Sequence, residues 1–459
     1  MNADKRGKNR FRWTKSAFIR SRPRPIQWLQ TPTAIMPLVV LRIVFGLLML
    51  VSTIRFVVNG WVHDFYIEPA FHFTYLGFGW VQPLPAPWLS PLLYSVFGII
   101  ALSATGIALG AYYRLSITTF FVCFTYIELL DKTYYLNHYY FVSVLSLLLI
   151  VLPLHRWLSV DAWRRPEIAT QMVPMWTVAA VRLQVGLVYF FAGIAKIKAD
   201  WLLDAMPLQI WLRANTDFPL LGWLFDYTAT AYAMSWGGML YDLTIPIALL
   251  YRHTRGVAYI AVIGFHLMTA MLFPIGMFPF IMMGCTLVFF SWEDGTRTSA
   301  DERGWNNLSP VLIGFLVLFF AFQVFMPLRH WLYKGNVLWT EEGYRFAWNV
   351  MLAEKTGHVT FTVEDPDSGI SFPIYPNDYL TYQQEKQMSF QPDMILEFAH
   401  YLTRQLQAEY GYDVAIYAEA YVSLNGRPSQ LLIDPTVDLT KQVNNLSSKS
   451  WILPLVDER

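Results

Sequence analysis

Long apolar runs recur through the first two thirds of this sequence and constrain its fold more than any other feature. A helix needs about 20 predominantly apolar residues to cross a ~30 Å hydrocarbon core. The runs predict an all-α polytopic membrane bundle of about nine transmembrane helices, near residues 34–58, 91–111, 117–130, 136–153, 176–197, 231–250, 257–273, 276–290 and 308–326. Pro274 and Ile275 alone separate the seventh run from the eighth, so these two could form a re-entrant pair and the count could change by one or two.

Basic residues predict the orientation of the bundle. Residues 1–30 carry a strongly basic run with no small-residue cleavage site, which predicts a retained cytoplasmic segment before a transmembrane domain at residues 31–330. With the N-terminus inside, the cytoplasmic loops hold a consistent set of arginines, namely Arg114, Arg156, Arg164, Arg165, Arg252, Arg255, Arg297 and Arg303. Everything after Pro327 then lies outside. The net charge of +1 gives no indication of nucleic-acid binding.

Residues 331–459 are more polar and predict a small extracytoplasmic α+β domain. Alternating patterns at 358–363, 413–424 and 430–435 predict strands, and Asn425 and Gly426 form a hairpin turn signal between the last two. The segment from Asp393 to Tyr410 has the apolar spacing of an amphipathic helix.

The stretch LVYFFAGIAKIKADW ends an apolar helix in a lysine, Lys196, at a membrane boundary. Gly186, Tyr189, Gly193 and Lys196 recur at three- and four-residue intervals, so they share one helical stripe that could admit a flat ligand. Alternatively, Lys196 and Lys198 reach the headgroups as lysines at helix ends usually do. From this helix alone, the two interpretations are equally supported.

Two further groups could carry chemistry. Charged and polar side chains crowd one boundary at ELLDKTYYLNHYY, where Asn137 and His138 suggest a lined cavity. Asp131 and Lys132 could simply pair with each other or cap helices, and His138 could be satisfied by a carbonyl. His266 lies in a methionine-rich and aromatic stretch that suits packing as readily as a lipophilic ligand.

Several classes of site have no sequence support. The histidines lack paired metal-ligand spacing and there is no CxxC motif, so we expect no metal site. A phosphate-binding glycine loop and a nucleophile elbow are also missing, which disfavours ATP-driven transport and serine hydrolysis. Cys123 and Cys285 fall in apolar segments and imply no disulfide framework.

The order of several segments resembles the vitamin K-dependent γ-glutamyl carboxylase family and its bacterial relatives. The resemblance covers most of the chain from Val57 to Leu439 and is carried by FHFTYLGF, LDKTYYLNHYY, VYFFAGIAKIKADW, FHLMTAMLFPIGMF, EGYRFAWNVMLAEKTGHVTF and VSLNGRPSQLLIDPTVDL. It implies a carbon–carbon lyase that uses reduced vitamin K, O2 and CO2, with coupled epoxidase activity on the quinone. By the same resemblance, Lys196 is the catalytic base and His138 serves the carboxylation steps.

The physical argument agrees with this role for Lys196, because a lysine free in water is protonated at neutral pH whereas desolvation favours the neutral amine. Asn137, Tyr189, His266 and Met351 are expected to bind the quinone or the substrate. Two features depart from the animal enzymes: Ala195 replaces a lysine before the catalytic one, and the chain stops at Arg459, so we expect it to omit much of the outer domain that grips a propeptide.

The sequence thus predicts carboxylation of glutamate in a protein substrate to γ-carboxyglutamate by a multi-pass membrane enzyme. The lack of exposed cysteines and the short tail favour a bacterial inner membrane over an endoplasmic one, in which the C-terminal domain would be lumenal. Two alternatives remain: a quinone epoxidase or other lipid oxidoreductase that does not carboxylate peptides, and a non-enzymatic membrane scaffold or transporter. The sequence does not indicate the protein substrate, the quinone tail or the oligomeric state.

Overall fold

A computed structural model describes residues 28–456 apart from positions 84, 86, 292–308, 367 and 412. Nearly all of the basic segment at residues 1–30 therefore lies outside the described residues, as do Arg297 and Arg303. The helices up to residue 328 are α1 (Met36–Val58), α2 (Trp61–Tyr66), α3 (Leu89–Leu109), α4 (Tyr113–Leu130), α5 (Asn137–Val151), α6 (Val160–Arg164), α7 (Met175–Ala195), α8 (Ala199–Leu202), α9 (Leu208–Arg213), α10 (Thr228–Leu250), α11 (Arg255–Leu272), α12 (Phe278–Thr286) and α13 (Pro310–Leu328).

Seven of the described helices are long and apolar enough to cross a membrane, namely α1, α3, α4, α7, α10, α11 and α13. Each of the nine predicted apolar runs does contain a helix, but α5 has 15 residues and α12 has 9, so nine spans are not confirmed. An apolar run can be longer than the helix it contains. In the run at residues 276–290, some residues form a turn before α12 and others form a short 3₁₀ segment, Leu287–Phe289, after it.

Small residues set the close packing of the bundle. A Cβ atom added at Gly46 in α1 would lie 2.5 Å from the backbone nitrogen of Ala108 and 2.7 Å from the carbonyl oxygen of Ala104 in α3. The two helices therefore cross with their backbones almost in contact, which only a glycine at this position permits. Two short antiparallel strands, β1 (Pro32–Ala34) and β2 (Met172–Pro174), join the start of α1 to the start of α7.

The C-terminal region is a small domain containing one sheet, with strand order β4-β3-β5-β6 and antiparallel pairing throughout. Its strands are β3 (Lys355–Glu364), β4 (Ser371–Ile374), β5 (Ala415–Leu424) and β6 (Gln430–Leu431), and its helices are α14 (Val337–Thr340), α15 (Tyr382–Met388) and α16 (Pro392–Tyr410). The predicted strands, hairpin and amphipathic helix are all present. Asn425 and Gly426 adopt positive φ angles of 52° and 78°, as a tight hairpin requires. The strand β4 and the helices α14 and α15 were not predicted.

Buried ion pairs fix this domain to the bundle. Lys132 Nζ lies 2.8 Å from Asp393 Oδ2 and 2.7 Å from Glu397 Oε2, both on α16. The interpretation that Asp131 pairs with Lys132 is therefore wrong. Asp131 instead accepts hydrogen bonds from the backbone of Thr133 at 2.8 Å, which is the alternative capping role, and from Gln384 at 3.0 Å.

Candidate functional site

A cavity of about 320 Å³ lies between α7, α10 and α11, at the end of α7 where Lys196 follows the helix. Four of the predicted site residues line it together: Lys196, Tyr189, His266 and Met351. Its wall is otherwise mostly apolar. Ala233 and Gly237, both on α10, are exposed lining residues, so the cavity reaches the outer surface of the bundle on that side. A lipophilic molecule could enter there from the bilayer.

Lys196 is 6% exposed, and its amine is directed into the protein rather than to the headgroups. Lys196 Nζ donates to Asp242 Oδ2 at 2.7 Å and to the carbonyl of Ala192 at 3.3 Å. It also lies 5.5 Å from the centroid of the Trp201 ring, across the cavity wall. Both Lys196 and Asp242 line the cavity, so a buried ion pair forms part of a wall that is otherwise mostly apolar.

The glycines of the α7 stripe do not admit a ligand, contrary to the prediction. A Cβ atom at Gly193 would lie 2.7 Å from Leu243 Cδ2, and one at Gly186 would lie 3.8 Å from Pro246 Cβ. Helix α10 therefore lies against α7 at both glycines, but only Gly193 has no room for a Cβ atom. Gly193 lets α10 approach α7 closely enough for Asp242, the residue before Leu243, to reach Lys196.

Tyr189 and His266 form a second polar pair in the same wall. The phenol oxygen lies 2.8 Å from His266 Nε2. His266 Nδ1 is buried and has no hydrogen-bond partner among the described residues. Since leaving a buried N–H unpaired costs more than leaving a lone pair, we assign the proton to Nε2.

A larger cavity of about 580 Å³ adjoins the first and is lined by His138 and Asn137. Its wall shares several residues with that of the first cavity, namely Trp211, Phe273, Ile275, Phe278, Val350 and Met351. The six predicted site residues thus fall on two neighbouring cavities, with Met351 at the boundary between them.

His138 is buried and makes no hydrogen bond to a described residue, so the alternative of a histidine satisfied by a carbonyl finds no support there. Its ring packs against Tyr139 and Phe278, with centroids 4.6 Å and 5.9 Å away. Aromatic neighbours hold the plane of the imidazole while its nitrogens stay available to a molecule in the larger cavity.

Asn137, in contrast, already forms hydrogen bonds to other residues of the protein at both ends of its amide. Its Oδ1 accepts from the hydroxyl of Tyr135 at 3.1 Å, and its Nδ2 donates to the carbonyl of Asn349 at 3.1 Å. Asn349 belongs to a loop in which Phe346, Trp348 and Met351 have positive φ angles of 61°, 58° and 55°. Strained backbone of this kind persists where its surroundings hold it, and it places Met351 between the two cavities.

Basic side chains outnumber acidic ones in the larger cavity. The basic residues are Lys132, Arg345, Lys355 and Lys386, and the acidic ones are Glu341 and Glu354. Burial alone would raise the pKa of neighbouring Asp393, but Arg345 and Lys132 outweigh it and lower that pKa well below 3.8. Three of the four basic residues already form ion pairs, Lys132 and Arg345 with Asp393 and Lys355 with Glu341, and the fourth, Lys386, is exposed.

Sequence reasoning missed Asp242, Trp201 and Trp211. A carboxylate inside an apolar helix is itself a signal of function, and Asp242 in YDLTIPIALL offered that signal. Nothing comparable marks the tryptophans. Lys198 is half-buried, but its amine nitrogen is buried without a hydrogen-bond partner among the described residues, and desolvation lowers its pKa to about 8.

One group of metal-ligating side chains comes together within the described ranges: His63, Asp64 and Glu68, all exposed, with ligand atoms within 4.8 Å of one another. It lies outside the residues that line the two cavities. The expectation of no metal site stays a prediction.

Comparison with known families gives two matches that together account for most of the chain. The HTTM domain matches residues 30–293, more than half of the chain. The lumenal domain of vitamin K-dependent gamma-carboxylase matches residues 308–458, which include the sheet-containing domain. No solved structure matches the chain.

Proposed function

Because the chain belongs to the vitamin K-dependent gamma-carboxylase family, we propose that it carboxylates glutamyl side chains of a protein substrate and couples this reaction to oxygen-dependent epoxidation of a vitamin K-type hydroquinone. The observation that carries the proposal is the position of Lys196, whose buried amine forms part of an apolar cavity next to a larger cavity lined by His138.

The smaller cavity suits a flat lipophilic cofactor. Its volume of about 320 Å³ lies at the lower end of the ~300–1,000 Å³ range of ligand pockets. Lys196 Nζ and the Tyr189–His266 pair are the polar groups that would contact the two oxygens of a hydroquinone ring. When bound, the reduced cofactor with O2 supplies a base stronger than any amino acid side chain, and CO2 is the second co-substrate.

Lys196 and Asp242 share a proton in this proposal. Desolvation disfavours a charged pair, whereas the 2.7 Å separation favours it, so the proton can lie on Nζ or on Oδ2 at modest cost. Lys196 Nζ accepts a proton from the cofactor when its own proton has moved to Asp242. The pair then carries one additional proton, and the apolar wall excludes water that would compete for it.

The larger cavity would hold the glutamyl side chain. His138 lies free on its wall, and a proton donated from its imidazole can stabilise oxygen charge or orient the substrate carboxylate. Asn137 is assigned to position the Met351 loop, given that both ends of its amide are occupied. Met351 separates the quinone side from the peptide side.

The proposal also includes an arrangement in the membrane. The chain is a multi-pass membrane protein, and we place its N-terminus in the cytoplasm and its C-terminal domain outside, in a bacterial inner membrane. The boundaries of the transmembrane domain at residues 30 and 330 remain predictions.

Reconstitution in lipid nanodiscs with vitamin K hydroquinone, ¹⁴C-bicarbonate and a glutamate-containing peptide tests the function. We expect quinone epoxide and acid-stable label in the peptide. Epoxide without labelled peptide would support the rival of a quinone epoxidase, and neither product from folded protein would favour a scaffold or transporter.

A further inference from the structure

The backbone of β3 is unpaired along part of one edge. Strand β4 pairs only with the second half of β3, with Phe361 opposite Ile374 and Glu364 opposite Ser371. The first half of β3, Lys355 to Thr360, therefore has β5 on one side and no strand on the other within the part of the chain that the structure describes.

The direction of each backbone group follows from two hydrogen bonds. Asp365 N donates to Ile370 O on the β4 side, and Asn425 N donates to Glu354 O on the β5 side. The backbone N–H and C=O groups of successive residues in a strand point to opposite edges. Those of the odd-numbered residues of β3 therefore point away from β5. The N–H and C=O groups of Lys355, Gly357 and Val359 thus point to the open edge. None of them has a hydrogen-bond partner among the described residues.

A groove of about 290 Å³ runs between this edge and α15. Gly357 allows the helix end to lie close, since a Cβ atom there would be 2.7 Å from the carbonyl oxygen of Ser389. Lys355, Lys386 and Phe390 line both the groove and the larger cavity, so the two are continuous. An open strand edge facing a helix is the geometry with which several domains bind an extended peptide.

We propose that the open edge of β3 binds an extended segment of the polypeptide substrate as an additional strand and leads it towards the larger cavity. This inference rests on the proposed function, which requires a glutamate-bearing chain at His138. Backbone pairing would supply affinity with little dependence on sequence. The groove wall adds no net charge preference, because Lys355 is paired with Glu341 at 2.9 Å and Lys386 is balanced by Glu385.

The test measures fluorescence anisotropy of a fluorescein-labelled peptide of alternating glutamate and valine, added to the full-length protein in nanodiscs without quinone. Val359→Pro removes one edge N–H, and Val359→Ala is the matched control for lost packing. Proline is tolerated where an N–H faces outwards, so the β3–β5 ladder should remain. We expect Val359→Pro to weaken binding about threefold to tenfold relative to Val359→Ala, the loss expected for one or two hydrogen bonds.

A second probe needs no variant. N-methylation of alternate peptide amides should leave binding intact, because an added strand uses every second N–H and can pair through the unmodified set, whereas N-methylation of every amide should abolish it. Equal binding of the fully methylated and unmethylated peptides, equal binding by Val359→Pro and Val359→Ala, or no binding by wild type would overturn the inference. A dimer that Val359→Pro dissociates, seen by sedimentation without peptide binding, would assign the edge to a second copy instead. All of these experiments measure binding without catalysis. A negative result would therefore count against the peptide site and not against the proposed quinone chemistry.

Discussion

Lys196 Nζ and Asp242 Oδ2 lie 2.7 Å apart, with both side chains at most 8% exposed, across the contact between α7 and α10. Two oppositely charged groups that have lost their water can share one proton instead of holding two full charges. The carboxylate is therefore as much a part of the proposed base as the amine.

Asp242→Asn should lower hydroquinone-dependent epoxide formation by about 10²-fold to 10⁴-fold, the usual contribution of a positioned acid or base. The amide can still accept a hydrogen bond from Lys196, but it cannot take up the proton. Steady-state epoxide assays should show the loss in kcat more than in KM. Asp242→Glu should restore part of the rate, and a wild-type kcat for Asp242→Asn would remove the residue from the mechanism.

His138→Ala should lower the amount of carboxylated peptide formed for each molecule of quinone epoxide. The imidazole lines the larger cavity and not the one that contains Lys196, so we expect carboxylated peptide to fall more than quinone epoxide. The ratio of ¹⁴C in peptide to epoxide formed measures this directly. An unchanged ratio, at either normal or reduced total rate, would contradict a separate role for His138.

Gly193→Val should destabilise the bundle by about 1–3 kcal/mol, since extra volume in close-packed contacts forces a backbone shift. It should also slow turnover by moving Asp242 from Lys196. Gly264→Val is the matched control, because a Cβ atom at Gly264 meets nothing within 4 Å. Thermal unfolding and epoxide assays on both variants test this. Equal melting temperatures would show that the α7–α10 contact is not tight at Gly193.

Asp393→Asn should weaken the attachment of the C-terminal domain, because it leaves Lys132 and Arg345 partly uncompensated. The pKa of Asp393 is lowered in the folded protein, so its stabilisation is present above 3.8 and is lost as pH falls below that value. The melting-temperature difference between wild type and variant should stay constant from about pH 7 to pH 5 and narrow below about pH 4. A difference that disappears already at about pH 6 would contradict the assignment.

The sequence predicted those features that depend on local patterns. Apolar runs located the seven long apolar helices, amphipathic spacing located α16, and alternation with the Asn425–Gly426 signal located the β5–β6 hairpin. Lys196 and His138 stood out because polar groups at a membrane boundary need an explanation.

Contacts between distant segments were not predictable from the same patterns. Asp242 lies 46 residues after Lys196, and their meeting depends on how closely α10 packs at Gly193. The pairing of Lys132 with α16 depends on docking of the C-terminal domain, which hydropathy does not describe. Apolar length alone also did not establish the number of spans, since α5 and α12 are shorter than the runs that contain them.

The central claim is that the Lys196 amine takes a proton from the bound hydroquinone, and chemical rescue tests it most directly. Lys196→Ala should reduce epoxide formation by about 10²-fold or more, and ethylamine, which fits the space left by the side chain, should restore part of it in proportion to the free amine. Lys198→Ala, treated identically, controls for loss of a buried lysine. Wild-type turnover by folded Lys196→Ala would contradict the account, as would a defect in Lys196→Ala that no amine relieves.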